Sequence, residues 1–298
     1  MRRAPPLVDV AAVTHRLAVL LAAGLAPASA WGFVAEASQS PVPVAVAGAH
    51  DIPEAIVAAA AMRAPLERQA WTGLAAAWAV ASDAGAPLAS TLRDHAASLR
   101  DLVDAQRDAA VALAAPRATG RVVLALPAVG VVFGALMGFG TLGVLFATPV
   151  GWACLAIGGA LVAAAQAWTR RLVASAEPVD ATPGLECDLM AIAVSGGASV
   201  DRSRAMVDRA MVRSGCARSG RVEAVLDLSR RAGVPAAELL RAEAAEARRD
   251  ARAAAQHAAA ALSVRLMLPL GVCILPAFIV LGVVPLLIAV LSSTVESF

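Results

Sequence analysis

Charged positions vanish from two long stretches of this chain. Between Arg121 and Arg170 lie 48 consecutive residues without Asp, Glu, Lys or Arg, and a second uncharged run covers 266–295. A helix needs about 20 apolar residues to cross a bilayer. The first run therefore predicts two spans, at 122–143 and 146–168. The turn between them falls near Thr141-Leu142-Gly143 or Thr148-Pro149-Val150-Gly151. The second run predicts one more span, from Leu266 to Leu291. Arginines edge these runs unevenly: Arg107, Arg117 and Arg121 before the first span, Arg170 and Arg171 after the second, Arg248, Arg249, Arg252 and Arg265 before the third. Only Glu296 follows the last span. Positive residues stay on the cytoplasmic side, so the regions before 121 and between 171 and 265 are expected in the cytoplasm, with the C-terminus outside.

The N-terminal segment is ambiguous. Arg2 and Arg3, the apolar run Leu17–Ala26 and Ala28-Ser29-Ala30 imitate a cleaved signal peptide. Asp9, His15 and Arg16 beside the short run favour an amphipathic or buried cytoplasmic helix, and a fourth membrane segment is the third alternative.

Outside the apolar runs the pattern is helical. From Leu88 to Ala115, arginine recurs at 93, 100 and 107 and aspartate at 94, 101 and 108. Seven residues is close to two helical turns, so these pairs share one face, with Leu88, Leu92, Leu99, Leu102 and Val103 on the other. Alanine fills most remaining positions and loses no side-chain entropy in a helix.

A shift of 148 residues superimposes the chain on itself. Gly85-Ala86-Pro87 falls on Gly233-Val234-Pro235, Leu92-Arg93 on Leu240-Arg241, Arg100 on Arg248, Arg117 on Arg265 and Gly134 on Gly282. Each copy reads as a turn, a proline at a helix start, a long polar-faced helix and an arginine leading into an apolar span. A second echo sets Leu20–Pro27 against Ile192–Ser199, at an offset near 173. The first copy therefore carries an insertion, placed at the proline-rich segment 34–53, which reads as a loop or an edge insertion. The expected fold is an all-α membrane protein with two related cytoplasmic helical bundles joined to three transmembrane helices. Its parts are a first bundle at 15–121, a transmembrane hairpin at 122–168, a second bundle at 171–265 and a terminal span at 266–291.

Composition narrows the chemistry. The chain is 59% hydrophobic, 16% charged and carries a net charge of +2, with a mean hydropathy of +0.70. That is too apolar for a soluble domain and too weakly basic for a nucleic-acid partner. Lysine and tyrosine are absent, which excludes a Walker loop, a Schiff-base lysine and a catalytic tyrosine. His15, His50, His95 and His257 have no histidine or cysteine at ligand spacing and read as surface or interhelix residues. Cys154, Cys187, Cys216 and Cys273 do not cluster, and a Cys187–Cys216 disulfide is disfavoured in the cytoplasm. The glycine turns at Ser195-Gly196-Gly197 and Ser219-Gly220 lack a strand or a nucleotide-loop context. No enzyme, cofactor or metal site is expected. A small polytopic transporter is the alternative class, but the first two spans contain no ionisable side chain and the third offers only Pro269, Pro276 and Pro285.

Several strings carry a family resemblance: Leu17–Pro27 with Trp31, Ala77-Trp78-Ala79, Gly85-Ala86-Pro87-Leu88, Ala115–Arg121, Leu126–Gly130 and Thr148–Gly151. Most specific are Leu268-Pro269-Leu270-Gly271, Leu275-Pro276-Ala277-Phe278 and Gly282-Val283-Val284-Pro285. Through them the chain resembles the F-type inner-membrane platform proteins of type II secretion and type IV pilus machines, and most of all the short platform proteins of the tight-adherence (Flp-type) pilus branch. The resemblance spans 15–33 and 54–291. It departs from longer members in the single terminal span and the proline-rich insertion.

The resemblance implies a non-enzymatic scaffold in the inner membrane that couples a secretion or pilus ATPase to assembly of pilin-like subunits. Membrane lipids and another platform protein or a second copy are further implied partners. On that reading Arg93, Arg100, Arg241 and Arg248 form a candidate ATPase-facing surface. Arg117, Arg121 and Arg265 are candidate membrane-junction anchors, for which ordinary positive-inside anchoring is the plain alternative.

Overall fold

A computed structural model describes residues 6–112, 148–175, 180–216, 218–285 and 287–288, with 125, 129, 132 and 146. It divides into two compact units: Met1–Arg107 with Pro178–Ala254, and Asp108–Glu177 with Ala255–Phe298. Every regular element among the described residues is helical.

The first unit opens with α1 (Pro6–Ala22), α2 (Pro27–Ala37), α3 (Pro41–Val46), α4 (Ile52–Ala60) and α5 (Pro65–Ala84). Proline stands in the first turn of α2 to α5, where its missing N–H is not needed. Next come α6 (Leu88–Ala112) and then, after α7 of the other unit, α8 (Leu185–Ser195), α9 (Val200–Ser214), α10 (Arg221–Ala232) and α11 (Ala236–Arg265). The repeat is visible in the helix starts. Helices α6 and α11 begin 148 residues apart, each after a left-handed glycine, Gly85 at φ 66° and Gly233 at φ 67°. Helices α2 and α9 begin 173 residues apart. The segment 34–53, expected as a loop or an edge insertion, holds the end of α2, all of α3 and the start of α4.

Helix α5 is the centre of this unit. Nine consecutive residues, Ala70 to Trp78, are buried, so the helix has no solvent face along that stretch. Ala70, Trp71, Leu74 and Trp78 join one core with Leu7, Leu17, Trp31 and Ile56 from α1, α2 and α4, and with Leu92 and Leu99 from α6. The Trp31 and Trp78 rings meet at 5.9 Å and a 47° tilt. Ala76, Ala77 and Val80 join a second core with Leu189, Met190, Met206, Met211, Leu226 and Leu240 from α8 to α11. The two copies of the repeat therefore do not form separate bundles; they share α5. This corrects the expected architecture. Alanine carries no facial signature, so the sequence pattern assigned α5 to the first copy alone.

Small residues set the helix spacings. Gly184, ahead of α8, has φ 79°, and a Cβ there would lie 2.7 Å from the backbone oxygen of Ala244 in α11. The Glu186 carboxylate accepts hydrogen bonds from the backbone N–H groups of Ser219 and Gly220, at 2.6 and 3.1 Å, and fixes the approach to α10.

The second unit contains α7 (Pro149–Ser175) and the segment continuing from α11: Met267–Pro269, π-helical Leu270–Ile274, Leu275–Phe278 and π-helical Ile279–Val283. The π turns adjoin Pro269, Pro276 and Pro285, whose missing N–H groups disturb the i→i−4 ladder. Gly158 admits Leu281, since a Cβ at 158 would stand 2.3 Å from Leu281 Cγ. Ala165, Cys273 and Ile274 form a small buried cluster. Trp152, Ile157, Leu268, Val272 and Leu275 remain more than half exposed, the composition of a lipid-facing surface.

Among the described residues two helical runs are long and apolar enough to cross a membrane, Pro149–Ala174 and Ala236–Val283, the second with a turn at Leu266. Three transmembrane helices were expected, and two such helices are found among the described residues. The expected span 122–143 lies outside them, save residues 125, 129 and 132. The terminal span is not a separate helix after a bundle but the apolar end of the run that begins as α11.

Gly184→Ala combines left-handed strain with backbone overpacking and should destabilise by about 2–5 kcal/mol. Gly85→Ala faces open space and should cost only the strain, about 1–2 kcal/mol. Thermal unfolding in detergent, followed by far-UV circular dichroism, should rank them in that order; equal midpoints would contradict the close approach at Gly184.

Candidate functional site

A cleft of about 320 Å³ opens between α6, α8 and α11 in the first unit. Its α6 wall presents Asp94, His95, Ser98 and Asp101; Asp188 and Ser195 come from α8, and Arg241 and Arg248 from α11. The 3.6-residue period that buries Leu92, Ala96 and Leu99 turns the polar stripe toward the cleft.

One charge pair is formed inside it. Arg248 Nη1 donates to Asp188 Oδ2 at 2.6 Å, with both side chains about three-quarters buried. Burial pushes the Asp188 carboxyl up to about 6; Arg248 opposes that rise, and the charge of Asp94 adds to it. His95 is held neutral, with its pKa lowered to about 4 by burial and by the Arg248 charge. Its Nε2 is buried without a hydrogen-bond partner. Arg241 Nη2 donates to Ser195 Oγ at 2.8 Å.

The four arginines of the candidate surface thus separate into two kinds. Arg93 and Arg100 are exposed and form no ion pair among the described residues. Arg241 and Arg248, their counterparts in the repeat, line the cleft and hold internal partners. Arg265 is exposed at the end of α11, while Arg117 and Arg121 lie outside the described residues. Sequence reasoning did not single out Asp188, because its pairing with Arg248 joins residues 60 apart on different helices. Asp94 and Asp101 were visible as a stripe, without a signal that the stripe faces a cavity.

Chemically the site is a set of fixed charges and acceptors. Ser195 has no adjacent general base, and no cluster of His, Cys, Asp or Glu among the described residues could hold a metal ion. The thiols are free, and burial pushes Cys187 up to about 12, away from nucleophilic chemistry.

Part of the chain is similar to a known family. The family described as Type II secretion system (T2SS), protein F, matches residues 13–136. That stretch takes in α2 to α6 and most of α1, and so the α6 wall of the cleft. No curated protein and no solved structure matches. The regular elements among the described residues are thus all helical; they include two helices long and apolar enough to cross a membrane, and are similar over 13–112 to part of that family.

The two buried titrations oppose one another. Asp188 binds its proton more tightly folded than unfolded, so its contribution to stability falls as pH rises from about 4 to 6. His95 binds its proton less tightly folded, so its contribution rises from about pH 4 to 6.5. Stability of Asp188→Asn should climb across that window, and stability of His95→Gln should decline across it. Denaturant midpoints at half-unit pH steps check both slopes; parallel profiles for the two variants would refute the assignment.

Proposed function

We propose that this protein is a non-enzymatic inner-membrane platform of a type II secretion or type IV pilus machine, of the tight-adherence (Flp-type) branch. In that role it couples a cytoplasmic assembly ATPase to the assembly of pilin-like subunits. The protein F match across residues 13–136 carries this reading. The apolar helices Pro149–Ala174 and Ala236–Val283 support a multi-pass placement in the bilayer. Arg170, Arg171 and Arg265 at their edges support a cytoplasmic location for the first unit and an outward course for the C-terminal span. The tight-adherence branch rests on the Leu-Pro-Leu-Gly and Leu-Pro-Ala-Phe strings.

In this role Arg93 and Arg100 meet the ATPase directly, being exposed two turns apart on α6. Arg241 and Arg248 support the same surface from α11 by holding the cleft. Arg265, with Arg117 and Arg121, anchors the helices at anionic headgroups. A second copy or another platform protein completes the assembly.

Reversal of both exposed charges, Arg93→Glu with Arg100→Glu, should lower recovery of the cognate ATPase by about tenfold at fixed salt, with membrane abundance unchanged. Co-purification measures it, and undiminished recovery would remove these arginines from the interface. Saturable solute uptake by the isolated protein in liposomes would overturn the platform reading itself.

A further inference from the structure

We infer that the exposed face of α6 carrying Arg93 and Arg100 docks a helical segment of the partner whose carboxylates stand seven residues apart. That the partner is the assembly ATPase rests on the platform reading; the chemistry of the face does not.

The repeat contains a filled copy of the same surface. Leu92 and Ala96 in α6, and Leu240 and Ala244 in α11, are all fully buried. Both helices thus turn the same side to the core, and both arginine pairs leave from the same face. Helices α1 and α8 correspond as well. They end 173 residues apart, and Thr14, Leu17 and Ala18 are buried as Cys187, Met190 and Ala191 are. In the second copy α8 serves the arginines of α11: Asp188 accepts from Arg248 at 2.6 Å, and Ser195 Oγ accepts from Arg241 at 2.8 Å. Two acceptors seven residues apart on one helix meet two arginines seven residues apart on the next. In the first copy α1 carries His15 and Ala22 at those places, neither of them a carboxylate or a hydroxyl. Arg93 and Arg100 accordingly stand exposed, without an ion pair or side-chain hydrogen bond among the described residues. The acceptors that the chain supplies to one arginine pair are missing from the other.

Charge pattern selects the occupant. Two guanidinium groups seven residues apart are about 10 Å apart along the axis, the spacing of carboxylates at i and i+7 on a helix lying beside α6. Each guanidinium can take a carboxylate through two parallel N–H donors. Ala97, exposed between the arginines, lets such a helix come close. An extended polyanion fits poorly. Asp94 and Asp101 border the arginines on the cleft side, and Asp104, paired with Arg107 at 3.0 Å, continues the stripe beyond Arg100. An anionic membrane surface or a nucleic acid would meet these acids too, whereas a helix with isolated carboxylates meets the arginines alone.

The test uses the full-length protein in detergent and two fluorescein-labelled, alanine-based helical peptides of equal charge. One carries two glutamates seven residues apart on one face; the other carries them five apart, about 140° around the helix. At low salt the seven-spaced peptide should bind at least about fivefold more tightly by fluorescence anisotropy, the worth of one further exposed pair. Arg93→Gln with Arg100→Gln should erase that preference while keeping the wild-type thermal midpoint, and Arg93→Lys with Arg100→Lys should retain part of it. Equal affinity for the two peptides, binding of neither, or a preference that survives in the glutamine variant would overturn the docking face. Displacement of the seven-spaced peptide by phosphatidylglycerol mixed micelles, and not by phosphatidylcholine ones, would assign the face to the membrane and overturn the helix. In the partner arm, excess seven-spaced peptide should lower recovery of the cognate ATPase, and the five-spaced peptide should not. Recovery indifferent to both would overturn the ATPase as occupant, with the peptide preference still deciding the face. A wild-type chain that recovers no ATPase would count against the platform reading instead.

Discussion

Burial of α5 on every side is the constraint from which the rest of the first unit follows. A helix without a solvent face must be enclosed, and one copy of the repeat supplies only part of the enclosure. Helices α1, α2, α4 and α6 cover the face of Trp71, Leu74 and Trp78; α8 to α11 cover the face of Ala76, Ala77 and Val80. The two copies are thereby tied to each other before any charge pair is considered. The ion pair from Arg213 in α9 to Asp51, the N-cap of α4, at 2.9 Å, adds a surface tie between the same halves. Such an exposed pair contributes at most about 1 kcal/mol, far less than burial of the α5 side chains.

Alanine makes that enclosure possible. With so few large side chains, helices must come close to gain dispersion contacts, and their spacing is set by the smallest residues. At Gly196 a Cβ would stand 2.3 Å from the backbone oxygen of Ala84, so the end of α8 touches the end of α5 directly. Dense packing of this sort has little room for added methylene groups. Tolerance to substitution should follow helix spacing more closely than hydrophobicity.

Much of the fold was legible because it rests on periodicity and on turn chemistry. The stripe of Leu92, Leu99 and Val103 opposite Arg93 and Arg100 was readable from the seven-residue recurrence, and the starts of α6 and α11 from Gly-x-Pro. What escaped was anything decided by contact between distant helices. Asp188 carried no signal of its own, because only the fold sets Arg248 of another helix against it. Helix α5 looked like part of one bundle because an alanine face is the same in every direction. The insertion at 34–53 read as a loop or an edge insertion because Pro41, Pro43 and Pro53 break long helices, yet all three sit in the first turns of α3 and α4. The cleft was hidden for the same reason as the ion pair: its walls come from α6, α8 and α11, and no window of sequence contains them together.

The placement of tryptophan has an optical consequence. Tyrosine is absent, so near-ultraviolet emission from the chain belongs to five indoles. Trp31, Trp71 and Trp78 lie in the core around α5, at most 4% exposed, whereas Trp152 and Trp168 stand on the apolar helix α7, 62% and 39% exposed. Quenchers that approach from outside the fold reach the second group and not the first. The native chain thus contains two sets of reporters, one for the integrity of the helical core and one for the surroundings of its apolar helix, with no label introduced.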